Sequence, residues 1–194
     1  MTDNIKKREY LNYESYIEHQ SDKLHTHLKE IIRNDKRYEQ IVLDRYKNLF
    51  DFKEKSIICL AARLGGEVRA FKKLNALAIG IDIEPGEKNE HVLYGDFHQL
   101  KFPDYIFDFA FCNAIDHVLY LDVFLKETNR ILKPNGVFFL ELAIQRAGKY
   151  EVFDTENIIP IKEAILKYFL INKEFNIDNG WKGVLLILKK IKTI

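Results

Sequence analysis

Residues Ile57–Glu67, IICLAARLGGE, read as a buried strand, a short loop and the first turn of a helix. The strand is SIICLAA, and the helix that follows is GGEVRAFKKL, with Glu67 in its first turn. In an α/β protein this junction offers free backbone N–H groups at a helix start, where anionic and nucleotide ligands are held. Glycines let such a loop turn tightly and approach a ligand. Here Ala61 and Arg63 stand where two glycines are expected, while Gly65 and Gly66 remain for the turn into the helix. Ala61 is tolerable if its φ is negative. The Arg63 side chain must either point away from a ligand or contact it.

Outward from this junction the pattern repeats. ALAIGIDI, HVLYGDF and YIFDFAFCNA are further apolar runs. VFLKETNRIL is a helix ended by Lys133-Pro134-Asn135-Gly136, and GVFFLELA follows. Apolar strands separated by helices or short connections specify a mostly parallel sheet covered on both faces. LINKEF and GVLLILKK flank the turn-rich NIDNGWKG, which predicts a terminal antiparallel hairpin. Residues 1–52 are polar and helical in character. In YESYIEHQSDKLHTHLKEII the apolar positions Ile17, Leu24, Leu28, Ile31 and Ile32 follow helical spacing. A second helix is expected over YEQIVLDRYKNLF, with the break at Asn34 or Asp35. Residues 1–52 are therefore expected to form a helical cover and residues 53–194 the α/β domain.

The 194-residue chain has a net charge of +1, from 30 basic and 29 acidic side chains, with 47% hydrophobic residues. No global field points to nucleic acid or a membrane surface. The lysines of KEK and KKIK lack interleaved aromatics and read as solvated surface. Cys59 and Cys112 lie in apolar runs, as buried free thiols of a reducing compartment do. The amino terminus has no apolar core of signal-peptide length, and the longest apolar run, VLLIL, is too short to span a bilayer. A soluble, cytoplasmic chain is expected.

In doubly wound folds, ligands sit at the carboxyl ends of the strands. Asp82 ends the second strand, about 20 residues past the loop, where an acid accepts hydrogen bonds from ribose hydroxyls; a strand-end turn residue is the alternative. Asp96 follows the third strand and can accept from an adenine amine, with Phe97 or Ile83 on the ring face. Its alternative is a turn or cap.

This series resembles the class I S-adenosylmethionine-dependent methyltransferases, type 11-like, over roughly residues 56–142. The segments that carry the resemblance are IICLAARLGGEV, AIGIDIEPG, GDFHQLKFPDYIFDFAFCN and RILKPNGVFFLE. It implies a doubly wound, seven-stranded, mostly parallel sheet with a carboxy-terminal antiparallel hairpin. It also implies S-adenosylmethionine as cofactor and an amino-terminal helical cover over the acceptor. The family's acid-x-Gly-x-Gly-x-Gly falls on Cys59, Ala61, Arg63 and Gly65, so three of four positions depart. A compensating contact is open to Arg63, whose guanidinium can pair with the cofactor's carboxylate; a salt bridge to Glu67 is the alternative. Asn113, Asp116 and His117 fall where the family places groups lining cofactor and acceptor.

For a hydroxyl acceptor, His117 is the base candidate, with Asp116 orienting it or binding substrate. Alternatively, Asp116 caps the next helix and His117 faces solvent. His98 reads as a loop residue first, with an active-site group as the alternative. Tyr10, Tyr13, Tyr16, His19 and Gln20 can reach the acceptor pocket or simply pack. His19, His25 and His27 are not spaced as a metal set, and no metal is expected. The expected activity is methyl transfer to a small molecule, a sugar or sugar-nucleotide hydroxyl being one such acceptor. A catalytically inactive methyltransferase-fold binding protein is the alternative, and a nicotinamide-dependent oxidoreductase ranks third. No nucleic-acid or membrane partner is expected, and the oligomeric state, a homodimer included, is open.

Overall fold

The structure is a computed structural model, and it describes residues 7–178 and 180–191. The outer ends of the expected 1–52 and 53–194 segments, and Asn179 in the hairpin turn, lie outside these residues. One seven-stranded sheet organises the chain, in the order β3-β2-β1-β4-β5-β7-β6. The strands are β1 (Ser56–Leu60), β2 (Leu77–Asp82), β3 (Val92–Tyr94), β4 (Phe107–Cys112), β5 (Leu132–Ala143), β6 (Phe169–Asp178) and β7 (Lys182–Lys190). The first five are parallel, and β7 runs antiparallel between β5 and β6. The expected fold class and hairpin are therefore present.

Period-two side-chain alternation divides the core into two faces. Ile58, Leu60, Ala110, Cys112, Phe138, Leu140, Leu186 and Leu188 face one side, against α3 (Leu121–Ile131) and α4 (Ile159–Ile165). Their neighbours Ile57, Cys59, Phe109, Phe111, Phe139, Leu185 and Ile187 face the other, against α2 (Gly66–Lys73). Continuous apolar runs are what strands covered on both faces require. Cys59 and Cys112 are buried free thiols, as expected.

The amino-terminal region departs from the expected pair of helices. It is one helix, α1 (Tyr13–Tyr46), started by a capping box between Asn12 and Ser15. Its kink is at His27 (φ −126°, ψ 24°), not at Asn34 or Asp35. Beside the kink, the Thr26 hydroxyl donates to the Asp22 carbonyl one turn back (2.9 Å), a side-chain bond that bends helices. Past the kink, α1 enters the second core. Tyr46 meets Phe71, Phe111 and Phe139 with ring centroids 5.2–5.9 Å apart. Glu141 of β5, wholly buried, accepts from Tyr38 Oη (2.6 Å), Tyr46 Oη (3.1 Å) and Arg45 Nη1 (2.7 Å). The second half of α1 is thus a structural layer on one side, while residues on both sides of the kink, among them Gln20, Lys23, Glu30 and Asn34, border open space.

The reading of KKIK as solvated surface is corrected at Lys190, which is buried. Its ammonium donates to the carbonyls of Asn129 (2.6 Å) and Leu132 (2.8 Å), satisfying the carboxyl end of α3. Among the described residues, no helix is long and apolar enough to cross a membrane.

Candidate functional site

A cavity of about 470 Å³ opens at the carboxyl ends of β1, β2 and β4, under α1 on both sides of its kink. That is the size and place expected of a small-ligand site in an open α/β sheet. Its wall includes eight of the ten residues singled out from the sequence: Ala61, Arg63, Asp82, Ile83, Phe97, Asn113, Asp116 and His117. Gly65 and Asp96 are not in the wall.

The loop after β1 keeps a glycine-type backbone without the glycines. Ala61 has φ +59° and Arg63 φ +44°, so the expectation of a negative φ at Ala61 does not hold. Left-handed backbone costs an L-residue about 1–2 kcal/mol. The surroundings enforce it. Ala62 N–H donates to the Ile81 carbonyl (2.9 Å), and Gly65 N–H donates to the Ala62 carbonyl (2.7 Å). Arg63 N–H donates to Asp82 Oδ2 (2.9 Å). Gly65 itself (φ +85°) sits tightly against β3, where an added Cβ would lie 3.0 Å from Val92 Cγ2. Its role is thus in the packing of the turn.

Asp82 is buried at the tip of β2, and burial raises its carboxyl above the usual range, partly offset by the nearby Arg63. Its Oδ1 accepts from Glu84 N–H (2.8 Å). Two backbone donors leave lone pairs over, since a carboxylate offers about four acceptor positions. Arg63 lines the cavity and makes no salt bridge with Glu67 among the described residues.

Asp96 is engaged elsewhere. Its Oδ2 accepts from Tyr13 Oη (2.5 Å), and its Oδ1 accepts from His98 N–H (2.7 Å). His98 is buried. Its Nε2 accepts from Tyr120 N–H (3.1 Å), so Nδ1 carries the proton and points it at Asp96 Oδ1 (3.1 Å). In this conformation, Tyr13 of α1 occupies the carboxylate that was expected to meet an adenine amine. Tyr16 and Gln20 reach the cavity wall. Tyr10 packs edge-on against Tyr16, and its hydroxyl bonds His19 Nδ1 (2.9 Å).

Asp116 and His117 form a 3-10 turn (Ile115–His117) after β4, and both lie on the cavity wall. The alternative of a helix cap and a solvent-facing imidazole does not hold: α3 starts later, at Leu121, and Asp116 is buried. His117 Nδ1 faces two acceptors, Gln20 Oε1 (3.0 Å) and the Tyr150 carbonyl (3.1 Å). The proton therefore belongs on Nδ1, and Nε2 keeps its lone pair. Burial, with Lys23 and Arg63 nearby, drives the imidazole pKa well down, so it is neutral at pH 7. Burial and Glu151 push Asp116 up to about 6, against a bond from Gln145 Nε2 (3.1 Å). Asp116, His117 and Glu151 bring their ligand atoms within 4.8 Å of one another, a metal-like spacing. Lys23 Nζ, 3.4 Å from His117 Nε2, supplies positive charge there.

Sequence reasoning passed over Lys23, Gln145, Tyr150 and Glu151, all of which are in the wall. The last three lie in the irregular segment between β5 and α4, where no periodicity marks a residue. Lys23 looks like any polar helix position. Glu67 was legible as a first-turn acid, but its burial on the wall was not.

Residues 59–140 match the methyltransferase domain family. Among solved structures, a Burkholderia thailandensis 1,6-didemethyltoxoflavin-N1-methyltransferase, with bound 1,6-didemethyltoxoflavin and S-adenosylhomocysteine, superposes with a TM-score of 0.70 at 14% identity, covering 96% of this chain and 94% of that one. A Pyrococcus horikoshii protein gives 0.66 at 19% identity, over 80% and 91%. An S-adenosylmethionine-dependent methyltransferase from Aquifex aeolicus gives 0.60 at 16% identity, over 77% and 89%. At these identities the likeness is one of fold. A comparison with curated proteins found no significant match. The chain therefore has the fold of these structures, and residues 59–140 within it match the methyltransferase domain family.

Proposed function

We propose that the protein is an S-adenosylmethionine-dependent methyltransferase acting on a small hydroxylated molecule. The observation that carries this reading is the cavity itself, with a buried carboxylate at the β2 tip and a neutral, correctly tautomerised imidazole after β4. Asp82 suits a ribose, because it lines the cavity, keeps acceptor capacity beyond its two backbone bonds and is fixed in position by them. Arg63 supplies a cation for the carboxylate of the methionine end. When bound, the cofactor supplies an electrophilic methyl group on a sulfonium.

The chain's own part is positioning and proton removal. His117 Nε2 takes the acceptor's hydroxyl proton. Gln20 and the Tyr150 carbonyl hold the ring through Nδ1–H. Lys23 lies over the Nε2 lone pair, so it must swing to the acceptor oxygen as the hydroxyl enters. That same contact favours a second reading, in which the fold binds its ligand without catalysis.

The two readings separate in one assay. Binding of S-adenosylhomocysteine, followed by calorimetry, supports the cofactor site. Transfer of a labelled methyl group to a panel of sugars and sugar nucleotides supports catalysis. Binding without transfer to any hydroxylated acceptor favours the second reading. Absence of binding removes the enzymatic reading and leaves the second, with a different ligand.

A further inference from the structure

Glu67 has no part in the reading above, yet it is the carboxyl of α2 that lies on the cavity wall while buried. From the residues around it, we infer that Glu67 is the seat of a primary ammonium group, that of the amino-acid tail of the methyl donor. The inference rests on the proposed cofactor.

Charge sets the first constraint at Glu67. A buried carboxylate is unfavourable unless a cation or several donors meet it. Glu67 has the N–H of its own residue at the helix start, and otherwise faces groups of the wrong kind. Asp35 and Tyr38 of α1, Asp82 of β2, Cys59 of β1 and Cys112 of β4 are acidic or neutral neighbours. Arg69, two residues along α2, is a nearby cation, and its guanidinium is spent elsewhere. It bonds Glu39 Oε2 (2.7 Å), the Leu64 carbonyl (2.8 Å) and the Asp35 carboxylate. Burial with this company raises the Glu67 carboxyl to about 8, so at neutral pH it is largely protonated.

Geometry gives the site its specificity. Glu67 and Arg63 flank the same loop and line the same cavity. An α-amino acid group carries an ammonium and a carboxylate close together, so an acid and a guanidinium in the wall of one cavity offer a partner to each of its charges. Cys59, beside Glu67, is apolar and buried, so β1 offers no acid of its own. Arrival of the ammonium supplies the missing cation and drives the proton off Glu67 into solvent.

The test is calorimetry at pH 6.5, in two buffers of different ionisation enthalpy, so that protons released on binding are counted. Two probes are used: S-adenosylhomocysteine, which has the amino-acid tail, and 5′-methylthioadenosine, which lacks it. The native protein is expected to release close to one proton with the first probe and none with the second. Glu67→Gln is expected to bind the first at least tenfold more weakly, release about one proton fewer, and bind the second unchanged. Equal proton counts for both probes on the native protein overturn the inference whether or not the variant folds. Unchanged affinity of Glu67→Gln for the tailed probe does so too. If neither probe binds the native protein, the cofactor reading falls together with this one. If both bind with no difference between native and variant, the cofactor reading stands and the ammonium seat does not.

Discussion

Ala61 and Arg63 hold φ values of +59° and +44°, and that strain is a testable property of single residues. Replacing either by glycine removes a left-handed Cβ clash and adds unfolded-state entropy, so the net gain is smaller than the strain itself. Ala61→Gly should stabilise the protein by about 0.5–1 kcal/mol in denaturant unfolding; a loss of stability would show that the loop is not strained. Glu67 makes the opposite demonstration. Its folded carboxyl titrates near 8, above the ordinary carboxylate range, so its contribution is fully present at pH 4 and lost as pH rises through 8. Between pH 5.5 and 8.5 the Tm of the native protein should therefore fall more steeply than that of Glu67→Gln. Parallel curves would place Glu67 in solvent. His117 has the reverse shift, with its pKa lowered by burial and two nearby cations. Methyl transfer should then hold its rate from pH 8 down past 6.5, and an acidic limb at pH 7 or above would exclude His117 as the base.

At the scale of elements, α1 does two jobs on either side of the kink at His27. Its first half presents Tyr16, Gln20 and Lys23 to the cavity. Its second half is bonded to β5 through Glu141 and to α2 through Asp35, whose Oδ1 accepts from Gly66 N–H (2.7 Å). That bond satisfies a free donor at the start of α2, much as an N-cap does, but from a different helix. Glu141→Ala should cost about 3 kcal/mol in denaturant unfolding, because Arg45 and two tyrosine hydroxyls lose a buried partner. A cost below about 1 kcal/mol would mean that the second half of α1 docks by apolar contact alone. Sequence periodicity found α1 but misplaced its bend. Asn34 and Asp35 have cap chemistry, and Asp35 does serve as a cap, for α2 rather than for its own helix. No local pattern reveals a tertiary cap, nor that Thr26 would turn back on Asp22.

Across the whole molecule, the sheet was readable because parallel strands buried on both faces must be continuous apolar runs, and the chain contains five followed by a hairpin. The part of the wall proposed for adenosine was readable as a strand-end surface for a related reason: Asp82, Ile83 and Phe97 lie at or just past strand ends, whose carboxyl edge the topology fixes. Asp96 was legible as an acid just after β3, but neither its absence from the wall nor its capture by Tyr13, which joins residues 83 positions apart, was. Likewise, the far wall, built by Lys23, Tyr150 and Glu151, comes from segments whose meeting only the folded chain shows. The account as a whole requires that this cavity grip adenosine through Asp82. Calorimetry of S-adenosylhomocysteine with the native protein and with Asp82→Ala measures that grip directly. Saturable binding, weakened by about 1–3 kcal/mol in the variant, is the predicted result. No saturable heat from the native protein at millimolar ligand, or equal affinity in the two proteins, would contradict it.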